Sequence, residues 1–376
     1  MNRRKFFWLN GIFDQETLKS FPSTSPAATF FQRGFVESIK KMNNDVEIFG
    51  YPVERTWPFG RLWVSSETSN LSPGLKGTLV SYLNISFIRS FFQYIQLSKS
   101  VKHSLRNTKN YPDYLVTYSC QNRSSYISSE TRVAKKIRKE KGIPWIVFVA
   151  DGEAPNDADG YIYQNWSYYQ SKRLLAPSIF IDGGIPTLKS YSDTRKTKPL
   201  KVLLYMGALT EHGGVSKLAR AFHSLPHKDM QLWVCGRGVN SELDNLAIVD
   251  KRIKLFGFVS EAKLDRLASS VMAFANPRCT TFKANKLNYP SKLLHYLAYQ
   301  KPIISTWTEG LSPEYNEVLL PIQKDTEAGI ARAIQNALSM NEKEYVRLCK
   351  RIAKFNKTHS WNYQVSRLLN WLQDEI

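Results

Sequence analysis

The sequence predicts an α/β protein made of two doubly wound domains, each with a mostly parallel sheet. Short β-rich runs alternate with amphipathic helical stretches along all 376 residues, which favours parallel sheets covered by helices. The polar segment 191–199 has no apolar periodicity and interrupts this alternation, so it is predicted to be a linker. We therefore expect domains at 1–195 and 196–358 that face a central cleft, with ligands beyond the carboxyl ends of the strands.

The first domain is predicted to contain strands and long helices in alternation. Apolar and aromatic runs at 6–9, 46–51, 114–118 and 145–149 indicate buried strands. Residues 26–42 and 80–97 carry apolar side chains at three- and four-residue steps, which is typical of amphipathic helices. A strongly basic run at 132–141 and an apolar stripe at 361–372 indicate two more helices.

The second domain repeats the alternation with strands that end at glycines. Strands are predicted at 201–206, 230–235, 253–256, 271–275 and 302–305, and helices at 216–224, 261–269 and 291–299. Gly207, Gly236 and Gly257 close the first three of these strands. Turns at these glycines are expected at the ligand-binding edge of the sheet.

The composition restricts the class of protein. No run of 18 or more apolar residues lacks charge, so no transmembrane helix is expected. The cysteines, Cys120, Cys235, Cys279 and Cys349, form no CxxC pair and fit reduced thiols in a cytoplasmic protein. The net charge of +20 is spread over both halves and favours an anionic partner: a membrane surface, a phosphorylated ligand or nucleic acid. A merely basic, soluble protein is the alternative.

The residues from 276 to 292 combine cations with a helix start. Pro290 suits the first position of a helix, and the free N–H groups of Ser291 and Lys292 would then point out of it. Arg278, at the end of the preceding strand, offers a planar fork of donors to phosphate oxygens. Together they predict a diphosphate cradle that would stabilise a departing nucleotide diphosphate. A proline-capped helix with basic surface residues is the alternative.

Residues 200–320 resemble GT4-type bacterial glycosyltransferases of polysaccharide assembly, which have the GT-B fold. The resemblance is carried by the strand and glycine loop LYMGAL…GGV (204–215), by LWVCGRG (232–238), by LFGFV (255–259), and by NPR…YPSKLLHYLAYQKPII (276–304). It implies transfer of a sugar from a nucleotide diphosphate donor with retention of configuration. In this fold the last helix often crosses back onto the N-terminal domain, and residues 359–376 are expected to do so.

The resemblance also implies roles for individual residues. The donor diphosphate would be bound by Gly207, Gly213, Gly214, Arg278, Ser291 and Lys292. The nucleotide base and ribose would be bound by Gly236, Arg237, Gly238, Phe258, Val259 and His295. The family usually has glutamate at the positions of His295 and Leu287, and often a basic residue at the position of Gly213. A neutral imidazole can accept one hydroxyl hydrogen bond but lacks the two-point grip of a carboxylate.

Catalytic carboxylates are predicted in the first domain. Asp151 and Glu153 follow the strand at 145–149, where one could orient the acceptor hydroxyl or stabilise positive charge on the sugar; a turn or helix cap is the alternative. Front-face attack, with the leaving phosphate taking the proton, would need no dedicated protein base. The sequence has no HExxH or CxxC motif, so neither a metal nor another cofactor is expected.

Aromatic and basic residues adjoin in the first domain. Lys99, Lys102, Arg106 and Lys109 follow the aromatic stretch Phe87, Phe91, Phe92 and Tyr94. Such a surface can lie on an anionic leaflet, and the acceptor would then be a saccharide or lipid-linked saccharide at the inner face of the plasma membrane. Solvated charges and core aromatics are the alternative. A DNA-modifying glycosyltransferase of the same fold and a non-catalytic binder of nucleotide sugars or polyanions are competing functions.

Overall fold

The computed structural model describes residues 3–107, 110–119, 127–150, 154–186, 188 and 200–376. The chain forms two compact units. Unit 1 comprises Met1–Gly184 and Trp361–Ile376, and unit 2 comprises Ile185–Ser360. The chain passes from one unit to the other at 184/185 and 360/361, near the predicted boundaries at 195/196 and 358/359. The predicted linker at 191–199 lies outside the described residues.

Unit 1 is built around an eight-stranded sheet in the order β10-β9-β8-β7-β1-β2-β5-β4. All neighbouring strands run parallel except β4 and β5, which form an antiparallel pair. The elements are β1 (Lys5–Leu9), α1 (Gln15–Ser20), α2 (Pro26–Lys41), β2 (Asp45–Gly50), β3 (Trp63–Val64), β4 (Glu67–Ser72), β5 (Leu75–Leu79), β6 (Tyr82–Leu83), α3 (Arg89–Asn107), β7 (Tyr114–Ser119), α4 (Ser129–Lys141), β8 (Trp145–Val149), β9 (Gly160–Tyr163), α5 (Trp166–Lys172) and β10 (Ser178–Phe180).

Unit 2 contains a six-stranded sheet, all parallel, in the order β13-β12-β11-β14-β15-β16. Its elements are β11 (Leu200–Met206), α6 (Val215–His223), β12 (Gln231–Cys235), α7 (Ser241–Val249), β13 (Ile253–Gly257), α8 (Glu261–Ser270), β14 (Val271–Asn276), α9 (Lys283–Leu287), α10 (Lys292–Leu297), β15 (Ile303–Thr306), β16 (Leu319–Ile322), α11 (Glu327–Leu338) and α12 (Glu342–Thr358). The strand order reverses between β11 and β14, which is the point where doubly wound sheets bind ligands.

Alternate residues of the central strands face different cores. In β11, Leu203 and Tyr205 belong to the core that includes α6 and α11, whereas Val202 and Leu204 belong to the core that includes α10 and α12. In β1, Phe6 and Trp8 face one core of unit 1 and Phe7 and Leu9 face the other. Because both faces of each sheet are covered, both units are doubly wound Rossmann-like domains, which confirms the predicted fold class.

The last helix, α13 (Trp361–Glu375), belongs to unit 1. Val365, Leu368 and Leu372 are buried in the same core as Phe35 of α2. The ring of Trp361 lies 5.0 Å from that of Phe35. The apolar stripe seen in the sequence is therefore the buried face of this helix.

The predicted helix at 80–97 is wrong in its first half. Residues 82–83 form β6, which pairs with β3, and the helix begins at Arg89 and continues to Asn107. The buried Asn84 side chain donates hydrogen bonds to the carbonyl oxygens of Arg55 (2.6 Å) and Arg61 (2.8 Å). Periodicity alone could not show that these long-range bonds hold residues 82–84 outside the helix.

Within the described ranges, every helix is too short or too polar to cross a bilayer.

Candidate functional site

Two loops meet where the strand order of unit 2 reverses. One follows β11 and covers 207–214, and the other follows β14 and covers 277–281. Gly214 has φ +75°, and a Cβ there would overlap the carbonyl oxygen of Pro277. Only glycine allows this approach, so Gly214 sets the close packing of the two loops.

An ion pair fixes the second loop beside α6. The Nζ of Lys217 lies 2.7 Å from Oδ1 of Asp325. The other oxygen, Oδ2, accepts hydrogen bonds from the backbone N–H (2.7 Å) and the hydroxyl (2.8 Å) of Thr280. Because both carboxylate oxygens are engaged, the loop that carries Arg278 is held in place by groups distinct from those that could meet a ligand.

The ammonium group of Lys292 lies directly over Gly207. A Cβ on Gly207 would overlap the Nζ of this lysine. The Nζ is 3.4 Å from Oη of Tyr205 and 5.1 Å from the centre of its ring. Among the described residues, no carboxylate oxygen lies within 4.0 Å of this Nζ, although the side chain is partly buried. Burial and the nearby charge of Arg278 lower the pKa of Lys292 to about 8.

A fully buried tyrosine positions Lys292. Oη of Tyr296 accepts the N–H of Met206 (3.1 Å) and donates to the carbonyl oxygen of the same residue (3.0 Å). The ring of Tyr296 stacks on that of Phe274 in β14 at 5.0 Å. Since Tyr296 lies on α10 with Lys292, these contacts tie the helix to the end of β11 and bring the ammonium group over Gly207.

His212 completes a basic cluster, which we define as His212, Arg278 and Lys292. Burial first, and then the charges of Arg278 and Lys292, lower the pKa of the imidazole, which shows that the three groups share one electrostatic environment. The carbonyl oxygen of His212 accepts a hydrogen bond from the buried Asn285 (2.8 Å). The sequence interpretation missed His212; its signal is that it is the one basic residue between Gly207 and Gly214.

The predicted anion site at the start of the 290s helix needs correction. The N–H of Ser291 is not free, because it donates to the carbonyl oxygen of Tyr289 at 3.1 Å. The helix itself, α10, has only six residues, and Ser291 precedes it as the N-cap without a side-chain capping bond. The positive charge at this edge therefore comes from side chains, chiefly Lys292, rather than from a long helix dipole. His295 is exposed on the same helix.

The loops after β12 and β13 adjoin the Gly207 loop. The N–H of Gly207 donates to the carbonyl oxygen of Cys235 (2.9 Å), and the N–H of Gly236 donates to that of Gly257 (2.9 Å). The Arg237 guanidinium lies 3.7 Å from the ring centre of Phe258, which is 67% exposed. The structure thus brings the predicted base-binding residues, including Gly238 and Val259 in the same two loops, to the edge that carries Gly207 and Gly213.

Asp151 and Glu153, the predicted catalytic carboxylates, are outside the described residues. Within the described ranges, no group of three or more His, Cys, Asp or Glu side chains is placed to hold a metal ion.

The second unit matches a known enzyme family. Residues 200–340 match the model of a family described as glycosyl transferases group 1. No curated protein sequence matches the chain. The resemblance seen in residues 200–320 is confirmed at this level.

Solved structures similar to this chain extend over its whole length. A glycosyltransferase from Rickettsia africae has a TM-score of 0.69 at 13% identity, with 100% of both chains covered. The catalytic domain of starch synthase IV from Arabidopsis thaliana, bound to ADP and acarbose, has a TM-score of 0.64 at 10% identity, with 100% of this chain and 99% of that chain covered. HepE from Anabaena, in complex with UDP and glucose, has a TM-score of 0.61 at 11% identity, with 99% and 100% covered. These likenesses show that the chain has the GT-B fold.

Proposed function

We propose that this protein is a retaining, GT4-type glycosyltransferase whose unit 2 binds the diphosphate of a nucleotide sugar at the basic cluster. One observation carries the proposal: the Lys292 ammonium group lies over Gly207 at the switch point of the sheet, with no carboxylate within 4.0 Å among the described residues. A partly buried cation without an anionic neighbour is stabilised by an anionic ligand. The solved structures with ADP and UDP support a nucleoside diphosphate as that ligand.

The diphosphate would lie between the glycine loop and the cations. Gly207 lets a ligand approach the backbone, and Lys292 and Arg278 would donate charge-assisted hydrogen bonds to phosphate oxygens. Negative charge grows on the leaving diphosphate as the sugar–oxygen bond breaks, so these donors would stabilise the transition state more than the bound donor. The proposal assigns this charge neutralisation to side chains and needs no metal or other cofactor.

The nucleoside would lie at the loops after β12 and β13. The exposed face formed by Arg237 and Phe258 offers a flat surface for a base, and His295 remains our candidate for a ribose hydroxyl. Asp151 and Glu153 remain predicted catalytic groups. For the acceptor we propose a saccharide or lipid-linked saccharide in cell-surface polysaccharide synthesis, at the inner face of the plasma membrane, since a net charge of +20 suits an anionic surface.

Nucleotide binding tests the site first. The melting temperature would be measured with UDP, GDP, TDP and ADP, and we expect at least one to raise it. A ligand at about 100 times its Kd stabilises by ~2.7 kcal/mol, or roughly 5–10 °C for a domain of this size. The variant Gly207→Ala should show no such rise in melting temperature, because its methyl group would displace the Lys292 ammonium group. If none of the four nucleotides has an effect, the donor site is wrong.

Transfer is tested separately. The sugar nucleotide of the best-binding nucleoside would be incubated with membrane extracts and soluble saccharides, and the product examined by NMR. We expect release of the nucleoside diphosphate and a product with the anomeric configuration of the donor. Nucleotide binding without release would favour the non-catalytic alternative, and an inverted product would contradict a retaining enzyme.

A further inference from the structure

Unit 1 exposes large aromatic side chains at two segments, the loop at 53–63 and the residues around the start of α3. Phe87 is 97% exposed and Phe59 is 83% exposed. Trp57, Trp63 and Phe91 are each about half exposed. We call these five residues the aromatic surface. Folded proteins rarely leave this much aromatic area in water unless a partner covers it.

Hydrogen bonds tie the two segments into one surface. Asn84, which is fully buried, donates to the carbonyl oxygens of Arg55 (2.6 Å) and Arg61 (2.8 Å), and its own carbonyl oxygen accepts the N–H of Trp57 (3.1 Å). Nη1 of Arg89, the first residue of α3, donates to the hydroxyl of Thr56 at 3.1 Å. The loop that carries Trp57 and Phe59 is thus fixed to the turn that begins the helix, which carries Phe87.

The exposed face of α3 continues from this patch as a row of cations. One face of the helix is buried through Gln93, Leu97, Val101 and Leu105. By helical spacing, the opposite face carries Phe91, then Lys99, Lys102 and Arg106. Residues 85–107 contain no acidic side chain. The helix therefore runs from an aromatic end to a basic end.

The neighbouring basic helix, α4, differs from α3 in its partners. Arg138 makes two hydrogen bonds of 2.6 Å with Asp159, and Lys135 pairs with Asp157 at 2.9 Å. On α3, Lys102 pairs with Glu140 at 3.3 Å, but neither Lys99 nor Arg106 has an ion pair among the described residues. Lys99 and Arg106 therefore leave positive charge on the exposed face of α3.

We propose that the aromatic surface and the basic face of α3 dock on an anionic lipid bilayer. The aromatic rings would enter the interfacial region while Lys99 and Arg106 lie over anionic headgroups. A second copy of the chain fits less well, because the same face would place cations against cations. The inference rests on the proposed function only for its purpose, which is to bring unit 1 to a lipid-linked acceptor.

Vesicle flotation of the full chain tests the docking surface. Wild type is expected to bind vesicles of phosphatidylcholine with phosphatidylglycerol and to bind pure phosphatidylcholine at least tenfold less. The double variant Phe59→Ser, Phe87→Ser should lower the partition coefficient on anionic vesicles about tenfold or more. Lys99→Gln with Arg106→Gln should remove the preference for phosphatidylglycerol. The matched control, Val249→Ser, changes a 72% exposed apolar residue of unit 2 and should bind as wild type does.

Several results would overturn the inference. Wild type could bind both vesicle types equally, or the variant Phe59→Ser, Phe87→Ser could bind as well as wild type. Alternatively, Val249→Ser could lose as much vesicle binding as the aromatic double variant does. Light scattering would add another: a wild-type dimer that becomes a monomer in Phe59→Ser, Phe87→Ser would make this surface a self-association interface. The nucleotide-induced rise in melting temperature, measured on the same variants, should be unchanged, so failure at the membrane and failure at the donor site give different results.

Discussion

Two lysines of unit 2, the partly buried Lys292 and the buried Lys301, have similarly lowered pKa values but different hydrogen-bond partners. Burial is the main cause for both, and each pKa falls to about 8. The Nζ of Lys301 donates to three carbonyl oxygens at the end of α8, those of Ala268 (3.1 Å), Ser269 (2.5 Å) and Val271 (2.6 Å). Lys292 has one long contact, 3.4 Å to Oη of Tyr205.

The difference shows which lysine is structural and which is available to a ligand. Lys301 uses all three of its donors to satisfy carbonyls that the end of a helix leaves unpaired. Lys292 keeps donor capacity and faces Gly207, where a ligand could approach. A lowered pKa alone does not distinguish the two lysines, since desolvation acts on both. Their hydrogen-bond partners distinguish them.

The largest expected effect is on nucleotide affinity. Lys292→Met should weaken the nucleoside diphosphate that binds wild type by about 100-fold, or about 3 kcal/mol, because charge-assisted bonds to phosphate are lost. Lys301→Met should leave the affinity of the folded protein unchanged. Isothermal titration calorimetry measures both. Equal losses in the two variants would mean that Lys292 acts only on the fold.

The next effect is on stability, with opposite signs. Lys301→Met leaves carbonyl oxygens without donors and should lower the free energy of unfolding by about 2 kcal/mol. Lys292→Met removes a partly buried charge and should raise it by about 1 kcal/mol at pH 7. In both cases the folded pKa is below the unfolded value, so wild-type stability should increase as the pH rises from about 8 towards 10. Urea unfolding measures these changes, and destabilisation by Lys292→Met would contradict the comparison.

The smallest effect concerns the base. Arg237→Ala should weaken the nucleotide by about 0.5–1 kcal/mol, since the stacked pair with Phe258 is exposed and its cation–π energy is small. Inorganic pyrophosphate, which has no base, should bind wild type and Arg237→Ala equally. Competition with a fluorescent nucleotide measures both ligands. An equal loss for pyrophosphate would place Arg237 at the diphosphate instead.

The sequence predicted five of the six strands of unit 2, all except β16, and its glycine turns, because a doubly wound sheet repeats local patterns. It also predicted Lys292, at the start of α10, and Arg278, on the loop after β14. It gave no role to Lys301, because the carbonyls that satisfy this lysine come from residues about thirty positions away. It missed His212, whose part in the cluster depends on the fold of the loop at 207–214, and it placed 82–84 in a helix because the bonds of Asn84 are long-range.

An anionic donor would supply the charge partner that Lys292 lacks among the described residues. Titration calorimetry of the sugar nucleotide at pH 8, in buffers of different ionisation enthalpy, tests it most directly. With a pKa of about 8, Lys292 is neutral in about half of the free protein at that pH. Binding of the sugar nucleotide should therefore take up about half a proton. Its affinity should fall by up to tenfold per pH unit above pH 8. Lys292→Arg, which keeps its charge, should take up none. Proton uptake absent from wild type, or equal in Lys292→Arg, would contradict the account.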